Sequence, residues 1–552
     1  MSAVRTGSLK FPGIPSLFCI LGLFFQGCST KSLQEYTPVT KSLELPESAL
    51  YNLGAAIRIP TISYEEADPE EFDTLQFRKF HAFLEERYPL VHTCMNVETV
   101  NEMSLIFEWP GLNAGGNCPD NSNRAHSGID RASSGSEYSD KKSSNSERSG
   151  VVYTGSEKSG SVSSERESYA KNSPERKNPG KKPVLLLAHM DVVPVEDSAS
   201  WTHPPFSGTL EDGFVWGRGT LDDKGSIIAI MEASEKLLQE GFIPQRSIYF
   251  AFGHDEEIGG RDGALEMARR FDERGIRFEY SLDEGGMVTE GVVPGMTPPV
   301  ALIGIAEKGY LSLELTARGQ DGHSSMPPDE NSVVILSDAV GRLQDEPFPA
   351  RLSESVNIFL DHVGPEQSFF NRLAINNRWL FRRMIIRSYS ASASGNATVR
   401  TTMAPTMLRV GIKDNVIPAE SRAVVNFRLL PGTTKEDVIR HVEQAMDDNR
   451  VEIRQYGNYM PASPVSSHES PGFIRIRDLA RDHFDSVAVA PYLVIAGTDS
   501  RHYTEVATDS YRFLPNLYDS EDLGRIHGID ERISFDNFQT MLSFYYHFLG
   551  DH

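Results

Sequence analysis

Four short stretches place acids and histidines directly after apolar runs or turns. Ala188-His189-Met190-Asp191 follows Val184-Leu185-Leu186-Leu187, and His254-Asp255-Glu256-Glu257 follows Ser247 to Gly253. Leu282-Asp283-Glu284-Gly285-Gly286 ends another apolar run, and Gly217-Arg218-Gly219-Thr220-Leu221-Asp222-Asp223-Lys224-Gly225 forms a turn ahead of a helical pattern. In open α/β sheets, ligand sites gather at the carboxyl ends of strands, so these acid-bearing turns converge at one sheet edge. Without a cation their repulsion in a poorly solvated cleft is costly. His with Asp and Glu, and no Cys, suits zinc in a catalytic setting with a position open to water. Singly, His-x-Asp reads as a hydrogen-bonded turn and Glu-Glu as a solvated helix start. Their joint placement carries the metal reading.

The elements that must position these groups are legible in outline. Val184 to Ala188 and Ser247 to Gly253 are continuous apolar runs, as in strands buried on both faces. Ser226 to Leu238 between them has helical spacing and ends at Gly241. Strand, helix, strand implies a largely parallel sheet covered by helices. A strand is expected at Ser104 to Trp109, and helical apolar spacing runs through Leu53 and Ile57 and then Phe77, Phe80 and Leu84. From Gly309 the pattern changes. Strands at Leu311 to Ala317, Leu408 to Ile412, Ala423 to Leu429 and Val451 to Tyr456, with helices at Val333 to Leu343 and Lys435 to Met446, spell a small β-α-β-β-α-β unit. A less regular stretch, Leu352 to Thr402, interrupts it. Ala488 to Ile495 and Phe535 to Leu549 return to the first domain. The expected organisation is a catalytic domain in two parts, 49–307 and 461–552, with a lid inserted at 308–460.

At 552 residues the chain is too long for a single core, and its 39% hydrophobic and 24% charged content is that of a globular protein. A formal net charge of −23 argues against nucleic acid or anionic lipid as the main partner. Residues 1–28 read as an export signal: Arg5 and Lys10, an apolar stretch from Phe11 to Phe25, then Gly27-Cys28, which resembles the end of a bacterial lipobox. A lipid-anchored protein of a bacterial envelope is expected, or else a secreted one, with residues 29–48 as a polar tether. Residues 113–182, rich in Ser, Glu, Lys and Gly, read as a disordered insertion. Cys94 and Cys118 suit pairing in an oxidising compartment, though nothing in the sequence requires it.

The motif blocks resemble the zinc metallopeptidase family of aminoacylase, glutamate carboxypeptidase and carboxypeptidase S. The likeness is greatest to the branch holding carboxypeptidase S and the secreted N-fatty-acyl-amino-acid hydrolase. It covers residue 45 to the end, apart from the Ser-rich insertion. The resemblance implies an α/β two-zinc exopeptidase-type catalytic domain with a mostly parallel central sheet and an inserted α+β, ferredoxin-like lid. It also implies two zinc ions held by His189, Asp222 as the bridging carboxylate, Glu257, Asp283 and His527, with His502 competing for the last place. Asp191 then fixes the ring of His189, and Glu256 is the general base. On the lid, His323 in Gly319 to Pro327 assists the oxyanion, often in a partner subunit's site. Asn415, Arg428 and the loop Gly497-Thr498-Asp499-Ser500-Arg501 match substrate contacts, and an arginine suits a carboxylate.

Together these readings predict a metal-dependent hydrolase of N-acyl amino acids or of C-terminal residues of small peptides, possessing a lid through which the family commonly dimerises. Two other readings stay open: a dipeptidase acting on unblocked dipeptides, and a non-catalytic lipoprotein that binds zinc or an amino acid. A general base at Glu256 speaks against the last. The absence of Gly-x-Ser-x-Gly and His-Glu-x-x-His removes two other hydrolase classes.

Overall fold

The computed structural model describes residues 36, 38, 43, 44, 46–64, 73–115 and 181–552. The export signal at 1–28 and nearly all of the Ser-rich insertion lie outside the described residues. Of the expected tether, Tyr36 donates from its hydroxyl to Asp482 Oδ1 (2.9 Å) and the Leu43 amide donates to Ser543 (2.9 Å), so both are docked on the C-terminal helices. Cys94 is disulfide-bonded.

Apolar strands build a ten-stranded sheet. Its order is Asn96–Val100, Ser104–Trp109, Ile248–Gly253, Val184–His189, Phe278–Asp283, Ala507–Arg512, Val300–Glu307, Met287–Thr289 and Leu517–Tyr518, with Ala488–Val494 alongside Val300–Glu307. The central members Ile248–Gly253, Val184–His189, Phe278–Asp283 and Ala507–Arg512 pair in parallel. Val184–His189 and Ile248–Gly253 are buried at every residue, which is why they read as unbroken apolar runs. Helices Lys224–Gln239 and Phe535–Gly550 pack together on this sheet. Because the strands run parallel, His189, Gly253 and Asp283 all end at the same edge.

After Glu307 the chain leaves this sheet and builds a second one, ordered Thr402–Val410, Glu420–Leu429, Gly309–Arg318, Val451–Met460, wholly antiparallel. Helices Ser332–Asp345 and Lys435–Met446 cover one face, packing Ile335, Leu336, Leu343, Val438 and Val442 onto Leu311, Leu313, Leu315, Val425 and Phe427. This is the ferredoxin-like order expected. The strand expected at Leu408 to Ile412 instead spans Thr402–Val410.

The stretch 352–402 is more regular than its sequence suggests. It folds into helices Glu354–Val363, Phe369–Asn376, Arg378–Tyr389 and Ala393–Val399. In Arg378–Tyr389, apolar residues occur on the outward face as well as the inward one, which blurs the 3.6-residue period on which helix recognition depends.

Candidate metal centre and active site

His189 is the last residue of its strand, and its ring is buried. Nδ1 lies 3.0 Å from the Asp191 carbonyl oxygen and 3.4 Å from its carboxylate, so Nε2 is the nitrogen facing the cleft. Nε2 stands 2.7 Å from Asp222 Oδ1 and 3.9 Å from Glu284 Oε1. The other carboxylate oxygen of Asp222 is 3.0 Å from His527 Nε2, which is also 3.1 Å from Glu257 Oε2. Two donor groups thus share one carboxylate: His189, Asp222 and Glu284 on one side, and Asp222, Glu257 and His527 on the other. Glu257 Oε1 is buried without a hydrogen-bond partner among the described residues, a state suited to an oxygen reserved for a cation. The donor chemistry fits a pair of divalent ions, with Asp222 offering one oxygen to each donor group.

Asp283, expected as a ligand, is outside this donor set, in which Glu284 is the acid that lies beside His189. The physical reason is local. Asp283 closes its strand with its side chain turned toward the 3-10 turn Asp499–Tyr503, where Oδ2 accepts the Ser500 amide (2.7 Å) and Oδ1 accepts the Glu284 amide (3.0 Å). Glu284, one residue on, faces the other way and reaches His189. His502 is also outside the set. Its Nε2 is 3.0 Å from the Gly259 carbonyl, and burial, helped by the Arg501 charge, pushes it down to about 4.

The surroundings set the charge states. His527 is pushed up to about 10 by its contacts with Asp222 and then Glu257. Burial, reinforced by neighbouring acids, pushes Glu256, Glu257 and Glu284 above the usual carboxylate range. Burial opposes ionisation of Asp191 too, but the His189 ring, the Ser63 hydroxyl (2.7 Å) and a backbone amide hold it below that range. Asp191 also accepts the amides of Glu256 and Glu257, each at 3.2 Å, so one carboxylate orients the His189 ring and both glutamates' backbone.

Glu256 sits beside the cluster, with Arg501 Nη2 3.7 Å from its Oε1. Gly497 lies directly under the Arg501 guanidinium, where a Cβ would stand 2.6 Å from Nη1. The amide and hydroxyl of Thr498 are already engaged by Glu307 (2.8 and 3.2 Å), so it shapes this loop rather than offering donors to a ligand. Arg428, on the second sheet, lies over the Tyr310 ring (4.9 Å) and within electrostatic reach of Arg501 and Glu256. His323 and Asn415 lie elsewhere, at the two-stranded ribbon that Gly322–His323 forms with the sequence-distant Val416–Ile417, where His323 is exposed. There His323 Nδ1 accepts the Ser325 amide (3.1 Å) and Asn415 Oδ1 accepts from Lys413 (2.6 Å). None of their hydrogen bonds reaches the cluster among the described residues.

A brace that the sequence reading missed joins the two halves of the centre. Glu531 is fully buried and pairs with Arg218 Nη1 (2.5 Å), while its other oxygen accepts the amides of Gly219 and Leu221 (2.9 Å each). Arg218 Nη2 donates to the His527 carbonyl (3.0 Å), and the Gly217 amide donates to that of Glu531 (2.8 Å). The turn carrying Asp222 is thereby fastened to the turn carrying His527, which itself holds a positive φ of 60°. The signal was present in His527-Gly-x-x-Glu531, though not the identity of its partner.

Comparison with known proteins places the chain among similar sequences. The family described as "Peptidase family M20/M25/M40" matches residues 185–551. "Probable carboxypeptidase S-like 2" of Dictyostelium discoideum is 38% identical over 501 residues, covering 90% of this chain and 83% of that one. An N-fatty-acyl-amino acid synthase/hydrolase of Danio rerio is 41% identical over 379 residues, covering 66% of this chain and 72% of that one. Among solved structures, the M20 family metallo-carboxypeptidase Sso-CP2 of Sulfolobus solfataricus superposes with a TM-score of 0.59 at 17% identity, covering 92% of this chain and 99% of that one, which is a likeness of fold.

Proposed function

Because the chain belongs to the peptidase family M20/M25/M40, we propose that it uses zinc to hydrolyse the amide bond of N-acyl amino acids or to release C-terminal residues from small peptides. The observation that carries this reading is the pair of donor groups sharing Asp222, with Glu256 beside them and Arg501 next to Glu256. Two divalent cations held by these residues would supply the charge needed to polarise the scissile carbonyl and acidify the attacking water. The chain's own groups do the rest. Glu256 takes a proton from that water as it attacks the carbonyl carbon. It returns the proton to the amide nitrogen as the C–N bond breaks, leaving a carboxylic acid and an amine. Asp191 keeps Glu256 in place through its amide and keeps His189 presenting Nε2. Arg501 and Arg428 together offer a cationic seat for the free carboxylate next to the scissile bond, which is what a carboxypeptidase or an N-acyl-amino-acid hydrolase must recognise.

Two finer readings accompany this one. Strand Thr402–Val410 lies at the edge of its sheet with most of its residues exposed, and His323 and Asn415 sit on the same exposed lid. We infer a homodimer through this lid that brings His323 to a partner's site, and light scattering of the eluted protein tests it. We also retain residues 1–28 as an export signal with lipid attached at Cys28, a reading that a disulfide at Cys94 supports. The intact mass of the mature protein checks it.

The main test is the zinc-loaded protein against a panel of N-acyl amino acids, N-blocked peptides and unblocked dipeptides, following amine release. Cleavage of the blocked substrates is expected. Preference for unblocked dipeptides replaces this reading with a dipeptidase, and metal binding without cleavage of any of them makes the chain a binding protein.

A further inference from the structure

Helix Arg378–Tyr389 turns Phe381, Ile385 and Tyr389 inward against Val356, Leu360 and Val399. Its opposite face keeps large apolar side chains in solvent: Trp379 is 81% exposed, and Leu380 and Met384 are exposed beside it. At the start of the preceding helix, Phe370 is 78% exposed and stacks edge-on with exposed Phe369. Interleaved with Trp379 and Met384 are Arg382, Arg383 and Arg387, all exposed and without a carboxylate partner among the described residues. From Gln367 to Lys413 the chain holds no Asp or Glu but seven Arg and one Lys, within a protein of net charge −23.

We propose that this face, Trp379, Leu380 and Met384 with Arg382, Arg383 and Arg387, docks on an anionic lipid bilayer surface. Apolar and aromatic side chains interleaved with arginine on one helix face are the composition of an interfacial helix, with tryptophan at headgroup depth. The negative net charge that argues against such a partner for the chain as a whole does not decide the matter. Charges more than about 8 Å away are largely screened at physiological salt, so the sign of the local face governs contact. A second copy of the same face is disfavoured, because a two-fold contact would set arginines against arginines.

Flotation of the full chain with vesicles of phosphatidylcholine alone, and of phosphatidylcholine mixed with phosphatidylglycerol, tests this. Binding is expected to the mixed vesicles, to weaken with salt, and to shift tryptophan emission to the blue. Trp379 reports the contact because Trp109, Trp201 and Trp216 are buried. The triple variant Arg382→Glu, Arg383→Glu, Arg387→Glu is expected to partition on the order of a hundredfold less, at about fivefold per cation removed. The milder triple change to Gln gives the same ordering should charge reversal disturb folding. Trp379→Ser abolishes the emission shift. The lipid anchor inferred at Cys28 would add binding that is equal on both vesicle types and survives every one of these variants, so the docking face is read from the excess bound to the mixed vesicles. Equal partition of the wild-type chain into both vesicle types, or variants that bind as the wild type does, overturns the proposal. So does a loss of self-association, seen by sedimentation without lipid, when these arginines are changed.

Discussion

Adjacent acids divide their work by pointing in opposite directions, and this decides the roles at the centre. Glu257 faces His527 while Glu256 faces Arg501, and Asp283 faces Ser500 while Glu284 faces His189. Glu256→Gln keeps the shape and loses the proton acceptor. It is expected to lower kcat by about 10²- to 10⁴-fold while zinc content, measured by elemental analysis, stays at the wild-type level. The second pair separates differently. Glu284→Gln should reduce bound metal, whereas Asp283→Asn should leave metal content nearly intact and raise KM, because it loosens the turn that carries Arg501. If Asp283→Asn instead empties one metal position, the ligand assignment reverts to Asp283.

At the scale of elements, the centre depends on two turns from distant parts of the sequence being held together. Glu531 and Arg218 do this inside the protein, with both charges buried. Removing one partner leaves the other uncompensated, a loss of about 3–5 kcal/mol for a buried pair. Glu531→Gln is therefore expected to lower the midpoint of chemical denaturation and to weaken metal binding together, although neither residue touches the metal positions. Unchanged metal affinity in a destabilised Glu531→Gln protein would limit the brace to a stabilising role. Gly286 serves the strand end in another way: a Cβ there would collide with the carbonyl oxygens of Leu302 and Arg512, so the backbone following Glu284 is packed against two neighbouring strands.

For the molecule as a whole, metal and pH act on the same groups. Without metal, His527 has a folded value near 10 against 6.5 when unfolded. Its contribution to stability is full below about 6.5 and is lost as pH rises toward 10. Glu256, Glu257 and Glu284, with folded values raised, contribute with the same sign from a lower pH. The chelator-treated protein should thus show a melting temperature that falls as pH rises between 6.5 and 10, and His527→Gln should flatten that slope. Metal takes the place of the proton, so its affinity rises over the same interval. Adding zinc should restore the melting temperature most at the alkaline end. A chelated protein whose melting temperature is flat across this range would contradict the charge states described for the cluster.

Much of this is legible in the amino-acid sequence. Runs such as Val184 to Ala188 and Ser247 to Gly253 announce buried parallel strands, because a strand covered on both faces has no polar side to alternate. Once strands run parallel, their carboxyl ends share an edge, so His189, Asp222 and Glu257 could be grouped from sequence alone. Local chain direction could not be read there. Which of Asp283 and Glu284 enters the cleft depends on how the strand end twists against the turn at Ser500, a contact made across more than two hundred residues. The partner of Glu531 and the outward face of helix Arg378–Tyr389 were hidden for the same reason. One-dimensional spacing records which side chains share a face. Only the packed chain decides which face meets a neighbour and which is left to solvent.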